Sequence, residues 1–155
     1  MPLWKMPPKT KVHEALSAVA DGRARITGSC SAEVVSSSGD KTYAIEWTED
    51  MTKISSNDNA SYWQGYIGYP VIAVLLALGK ITYQQDVARQ LVGIAWKDLN
   101  KQFKRDYEKA VQYALEGVAT KGGDTQAIDQ EVQNIYFQLS QLKLERGPQR
   151  KAPPK

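Results

Sequence analysis

Cysteine and histidine each occur once in the 155 residues, as Cys30 and His13. A single cysteine cannot form an internal disulfide or a thiolate cluster, and a single histidine excludes a metal site built from two imidazoles. The phosphate-binding patterns Gly-x-Gly-x-x-Gly and Gly-Lys-Ser are also missing. We therefore expect no metal and no cofactor, and the sequence favours binding over catalysis. A Cys30–His13 dyad stays open, because such partners need only be close in space.

Long apolar runs are missing as well. The longest, residues 71–78, is much shorter than the roughly 18 to 20 residues that cross a bilayer. The first eleven residues mix proline with lysine and contain no apolar stretch of the kind found in secretory signals. We expect a cytoplasmic protein with no membrane partner.

Neither sign of charge dominates, since 20 lysines and arginines oppose 17 aspartates and glutamates for a net charge of +3. A surplus this small does not by itself imply a polyanionic partner. The last residues are basic and rich in proline, and they show no apolar periodicity after Leu144. We expect residues 147–155 to form a disordered basic tail and residues 1–10 to form a flexible leader.

The first half of the chain predicts one helix and a small sheet. Residues 10–20 repeat apolar side chains at three- and four-residue intervals, which predicts a short leading helix. Four β segments follow within residues 23–55, and in the clearest of them Tyr43, Ile45 and Trp47 alternate with other side chains. The short connections between these segments favour an antiparallel meander over parallel crossovers.

The second half predicts helices. Pro70 and Gly79 bound an apolar helix, and a period near 3.6 through residues 96–118 predicts the longest helix of the chain. Strands first and helices second indicate an α+β fold, with the meander packed against the leading helix and a C-terminal set of three to four helices. We expect a single domain over residues 11–146.

Four aromatic rings lie within eight residues, at Tyr62, Trp63, Tyr66 and Tyr69. Tyrosine and tryptophan combine stacking area with a polar group, so Tyr62, Trp63 and Tyr66 are candidates for contacting a ligand, a peptide or a nucleobase. The alternative is that these rings cover the core beside the apolar helix that follows them.

A basic face is predicted on the longest helix. Lys97, Lys101, Arg105 and Lys109 recur every four residues, and Lys104 lies beside them. These five cations are candidates for a nucleic-acid or protein contact, because a row of like charges destabilises a helix unless something relieves it. A solvated face of ion pairs with neighbouring carboxylates is the alternative. The glycine break before this helix also resembles, in outline, a helix-turn-helix.

The final helix carries its apolar residues at alternating steps of four and three, a spacing that suits a coiled-coil partner. Packing within the same chain is the default, and a homodimer through residues 125–144 is the alternative.

Together these features predict a non-enzymatic protein that binds a macromolecule, either nucleic acid or protein, through the basic face and the aromatic segment. Two alternatives stay open. One is a small ligand-binding domain or enzyme with a pocket near residues 62–69, and the other is an assembly protein that dimerises through its last helix.

Overall fold

A computed structural model describes residues 3–148 and 152–154, which form six α-helices, one π-helical turn and five strands. In chain order the elements are α1 (Thr10–Ala20), β1 (Ala24–Gly28), β2 (Ser31–Val35), β3 (Thr42–Trp47), β4 (Lys53–Ser56), the π-helical turn (Ala60–Gln64), α2 (Tyr69–Ala77), α3 (Gln85–Arg89), α4 (Trp96–Gln102), α5 (Tyr107–Thr120), α6 (Thr125–Gln141) and β5 (Glu145–Arg146). The α+β prediction is confirmed, and so is its order of a leading helix, then strands, then helices.

The first four strands form the predicted antiparallel meander, with each strand beside the next. Ile45 lies opposite Ala32 on β2, and Trp47 lies opposite Ile54 on β4. All four are buried, because residues two apart on a strand share a face. β5 pairs with β4 in parallel and was not predicted, since two residues are too short to show a periodic pattern.

α2 lies at the centre of the core. Every residue from Pro70 to Leu76 is buried, with α1 on one side and strands β1 to β4 on the other. A helix without a polar face has to be covered all round, and both layers supply that cover. Within the described residues no helix, α2 included, is both long and apolar enough to cross a bilayer.

The prediction of one long helix over residues 96–118 is wrong. α4 ends after Gln102, and α5 begins at Tyr107. Asp106 caps the new helix by accepting a hydrogen bond from the backbone N–H of Lys109. The apolar spacing continues in phase across the break, so periodicity alone does not reveal it.

α6 covers its apolar side within the same chain. Ile128, Val132, Ile135 and Leu139 belong to the core, and each is at most 3% exposed. On the outer side, Phe137 is 64% exposed. The stripe that suggested a coiled-coil partner is therefore not a free surface, and dimerisation through this helix stays a prediction.

The described part of the predicted flexible leader lies against the domain. The indole nitrogen of Trp4 donates a hydrogen bond of 2.8 Å to the carbonyl of Ile54, and the hydroxyl of Tyr136 donates one of 2.8 Å to the carbonyl of Pro7. These contacts attach the leader to β4 and to α6.

Four residues of the predicted basic tail, Gln149, Arg150, Lys151 and Lys155, lie outside the described residues. Within the short stretch 152–154, the carbonyl of Pro154 accepts a hydrogen bond of 3.3 Å from Lys41 Nζ. Disorder of the tail stays a prediction.

Candidate functional site

A cleft of about 940 Å³ opens between α1, the sheet, the π-helical turn and the α4–α5 segment. We call its buried and half-buried charged and tyrosine residues the cleft floor: Lys11, Glu14, Arg23, Tyr43, Asp58, Tyr66, Tyr69 and Tyr107. We call its exposed aromatic and basic residues the cleft rim: Trp63, Lys97, Lys101 and Arg105.

An ion pair from α1 lies in the floor. Lys11 Nζ is 3.2 Å from Glu14 Oε2, and both side chains are less than 10% exposed. The other oxygen of Glu14 accepts a hydrogen bond of 3.1 Å from Asn100 on α4, and Lys11 Nζ lies 3.9 Å from the centre of the Tyr107 ring. Burial opposes the charged form of Lys11, but Glu14 and the neighbouring tyrosines outweigh it and raise the pKa of the ammonium. The pair ties α1 to both helices of the α4–α5 segment.

Asp58 anchors the start of the π-helical turn. Its carboxylate accepts hydrogen bonds from the hydroxyls of Ser56 and Ser61, at 2.5 and 2.6 Å, and from the backbone N–H of Ser61 at 3.1 Å. Gly68 lies directly against this carboxylate, so that a Cβ atom there would overlap it. The absence of a side chain at residue 68 therefore lets α2 begin next to Asp58.

Several tyrosine rings contribute to the cleft floor. Tyr43 and Tyr69 meet edge to face, with ring centres 6.3 Å apart. Burial raises the pKa of Tyr43, Tyr66 and Tyr69 above the usual value of 10. Their hydroxyls therefore stay protonated at neutral pH.

Arg23 is held rigidly beside Tyr69. Its Nε donates to Asp21 at 3.1 Å, and its Nη1 donates to the carbonyl of Val35 at 2.8 Å. Nη2 is buried and has no hydrogen-bond partner among the described residues. The guanidinium is close enough to Tyr69 to oppose the rise in the pKa of that hydroxyl.

The structure separates the predicted aromatic candidates. Trp63 is 68% exposed at the rim, Tyr66 is half-buried in the floor, and Tyr62 packs edge to face against Trp63 with ring centres 4.6 Å apart. Gly65 ends the π-helical turn in the left-handed conformation, with φ 73°. Trp63 therefore presents a ring outward, whereas Tyr66 closes the cleft from below.

The break between α4 and α5 also separates the predicted basic candidates. Lys97, Lys101 and Arg105 line the cleft, but Lys104 and Lys109 do not. Lys97 forms an ion pair with Asp40, whereas Lys101 and Arg105 are exposed and show no ion pair among the described residues. Lys109 pairs with Asp106 at 3.8 Å. The predicted cations therefore do not share one helix face, and Lys101 and Arg105 remain as two unpaired cations at the rim.

The chain belongs to the family described as uncharacterised conserved protein UCP014422. The model of that family matches residues 4–145. No curated protein and no solved structure matches the chain. The matched residues contain every side chain of the cleft floor and the cleft rim.

The helix-turn-helix expectation does not fit this segment. Trp96, the first residue of α4, is 2% exposed, and its indole nitrogen donates a hydrogen bond of 2.7 Å to Ser17 in the core. A recognition helix presents its first residues to base edges, whereas the first residue of α4 is buried in the protein itself.

Six floor residues were not predicted from the sequence to be site residues: Lys11, Glu14, Arg23, Tyr43, Asp58 and Tyr107. One local signal was available, because Lys11 and Glu14 are three residues apart on a helix and such residues face each other. Arg23 and Asp58 also have local partners, in Asp21 and in Ser56 and Ser61. Their contacts with Val35 and Gly68, respectively, form only in the folded chain.

Charge is distributed unevenly in the cleft. In the floor Glu14 neutralises Lys11, Asp21 neutralises Arg23, and three donors satisfy Asp58. In the rim Lys101 and Arg105 keep their charges. The described residues contain no group of three histidine, cysteine or carboxylate side chains arranged to hold a metal ion, and neither His13 nor Cys30 lines the cleft. This arrangement suits an anionic ligand that carries a flat ring.

Proposed function

We propose that this chain is a binding protein whose cleft takes an unpaired nucleotide of a single-stranded nucleic acid. The observation that carries the proposal is the placement of an outward tryptophan, Trp63, and two unpaired cations, Lys101 and Arg105, at the rim of one cleft. These residues come from two segments that are distant in the sequence, the π-helical turn and the α4–α5 segment.

Trp63 supplies the stacking surface in this proposal. Stacking of a base on an aromatic side chain contributes about 1 to 3 kcal/mol by alanine substitution and tolerates all four bases. In a duplex both faces of each base are already stacked on neighbours, so a ring at the rim of a cleft has access only to unpaired bases. The proposal therefore specifies a single strand.

Lys101 and Arg105 supply the contacts to phosphate. Such contacts release counterions, so affinity falls as salt rises, with a slope of about 0.7 per phosphate contact for single strands. Two contacts are consistent with a modest net charge of +3, because only a short length of backbone has to be neutralised. The amide side chains of Asn59 and Gln64, which line the same cleft, are available to the polar edges of a base.

Anisotropy of a labelled oligothymidylate tests the proposal, with the single strand and the matching duplex compared at low and at moderate salt. We expect the single strand to bind more tightly and to weaken as salt rises. Trp63→Ala should lose affinity, and Trp63→Phe should keep most of it. Phe137→Ala is the matched control, because Phe137 is 64% exposed but does not line the cleft. Absence of binding at low salt, or equal loss in both alanine variants, would contradict the proposal.

A free nucleotide is the second candidate, favoured by the size of the cleft. Pockets for small molecules measure about 300 to 1,000 Å³, and this cleft measures about 940 Å³. A thermal-shift screen with mononucleotides distinguishes the two, since a ligand at about 100 times its dissociation constant adds about 2.7 kcal/mol of stability. Affinity that does not grow with strand length would favour the free nucleotide.

A further inference from the structure

The turn between α4 and α5 has an unusual backbone. Lys104 and Arg105 are consecutive, and both have positive φ, 53° and 67°. The backbone N–H of Asp106 donates a hydrogen bond of 2.9 Å to the carbonyl of Phe103, so the two residues occupy the centre of a four-residue turn. A turn with two positive φ angles ordinarily has asparagine and glycine at these positions, because a side chain destabilises the left-handed conformation.

Ending α4 explains one of these two conformations but not the other. The N–H of Lys104 donates to the carbonyl of Lys101, and the N–H of Arg105 donates to the carbonyl of Asn100. This is the common way in which a helix ends, and it requires one left-handed residue, here Lys104. The left-handed conformation of Arg105 is additional. Glycine occupies seven of the ten positions with positive φ among the described residues, and the other three are Met51, Lys104 and Arg105.

The turn determines where the cations lie. In one continuous helix, residues 97, 101, 105 and 109 would share a face, so the effect of the turn is to keep Arg105 with Lys97 and Lys101 while Lys109 leaves that face. With the turn present, Arg105 joins Lys97 and Lys101 in the lining of the cleft, and Lys109 is outside it. Arg105 is therefore the residue whose left-handed conformation the end of α4 does not require. It is also the residue whose unpaired guanidinium lines the cleft.

We propose that Arg105 is the phosphate anchor of the cleft and that arginine, and not the less strained glycine, occupies this left-handed position because its guanidinium binds the ligand there. The assignment rests on the proposed function and names the residue that recognises the ligand's phosphate. An arginine suits this position, since its planar fork binds two phosphate oxygens at once. Backbone strain that a fold does not need is typical of functional sites.

Replacement of each turn residue by glycine tests the assignment, because glycine relieves the same strain at both positions. Lys104→Gly removes a side chain that does not line the cleft and should raise the melting temperature by about 2 to 4 °C with unchanged affinity. Arg105→Gly should raise the melting temperature similarly but weaken binding of the single strand about tenfold and reduce the salt slope by about 0.7. Arg105→Lys, which keeps the charge and loses the fork, should fall between Arg105→Gly and the wild type.

Inorganic tripolyphosphate is the second probe, and it separates this assignment from the proposed function. If the wild type binds the single strand and Arg105→Gly binds it equally well, the anchor is wrong and the nucleotide function stands. If the wild type binds tripolyphosphate through Arg105 but no nucleic acid, the anchor stands and the nucleotide function is wrong. If it binds neither probe, both are wrong. A loss of stability in Arg105→Gly would also contradict the strain on which the assignment depends.

Discussion

The floor and the rim of the cleft differ in how their charges are satisfied. In the floor each charged side chain is buried or half-buried and has an ion-pair or hydrogen-bond partner within the protein, as in the pair of Lys11 and Glu14. At the rim Lys101 and Arg105 are exposed and have no ion pair among the described residues, and Trp63 exposes most of its ring. Groups that partner each other stabilise the fold and give the cleft its shape, whereas groups without partners are available to a ligand. Changes in the floor should therefore alter stability, and changes at the rim should alter binding.

The largest effect is expected from Lys11→Met. The substitution leaves the buried Glu14 without its cation, and breaking a buried ion pair on one side costs about 3 to 5 kcal/mol. Urea unfolding measures this loss. The double variant Lys11→Met/Glu14→Leu is the control and should lose less than the single variant, because no charge is left unpaired. Equal losses in the two variants would show that the pair does not stabilise the floor.

Gly68→Ala should destabilise the floor by a smaller amount. The added Cβ meets the Asp58 carboxylate, and insertion of atoms into a packed site typically costs about 1 to 3 kcal/mol. Gly117→Ala is the matched control. Gly117 lies within α5 with open space around it, and alanine there should stabilise the helix by up to about 1 kcal/mol. Thermal unfolding of the two variants should shift in opposite directions.

A pH-dependent effect is expected from His13, which lies on α1 beside the floor residues. Burial lowers its pKa below 6.5, although the carbonyl of Lys9 and the carboxylate of Asp129 favour the charged form. The unfolded chain therefore takes up a proton more readily, and stability should fall as pH decreases through about 6.5. Unfolding between pH 7.5 and 5.5 measures this decrease.

His13→Gln removes the only histidine of the chain and should flatten that pH profile. An unchanged slope in this variant would assign the effect to other groups.

The smallest effect is expected from Lys101→Gln at the rim. Stability should change by less than about 0.5 kcal/mol, because the side chain is exposed and has no ion pair among the described residues. Affinity for the single strand should fall a few-fold at low salt, with a salt slope lower by about 0.7. Lys109→Gln carries the same change outside the cleft and should leave binding unchanged. Identical affinity of the two variants for the single strand would show that Lys101 does not contact the ligand.

The meander and the apolar helix were predictable because their signals are local. Tyr43, Ile45 and Trp47 alternate at the period of a strand, and Pro70 and Gly79 mark the two ends of a helical stretch. Each of these cues depends on residues that are neighbours along the chain, and the structure contains both elements.

The break at the α4–α5 turn was not predicted, because the sequence pattern at this point fits a continuous helix as well as the start of a new one. Asp106 and Lys109 are three residues apart, which fits an ion pair on a continuous helix and equally fits a carboxylate that caps a new one. Phe103 and Tyr107 keep the apolar spacing in phase across the break. Only the backbone conformation of Lys104 and Arg105 distinguishes the two alternatives.

By itself, the amino-acid sequence determined the meander, the leading helix and the apolar helix α2, and what chemistry the side chains carry, because propensity, periodicity and charge are properties of short stretches. The tertiary structure alone decided which groups meet. Trp63 and Arg105 line the same cleft, and Lys97 forms an ion pair with Asp40, only after distant segments have packed together. Whether a charged side chain is neutralised or left available depends on its neighbours in space, and those neighbours are set by the packing of the whole chain.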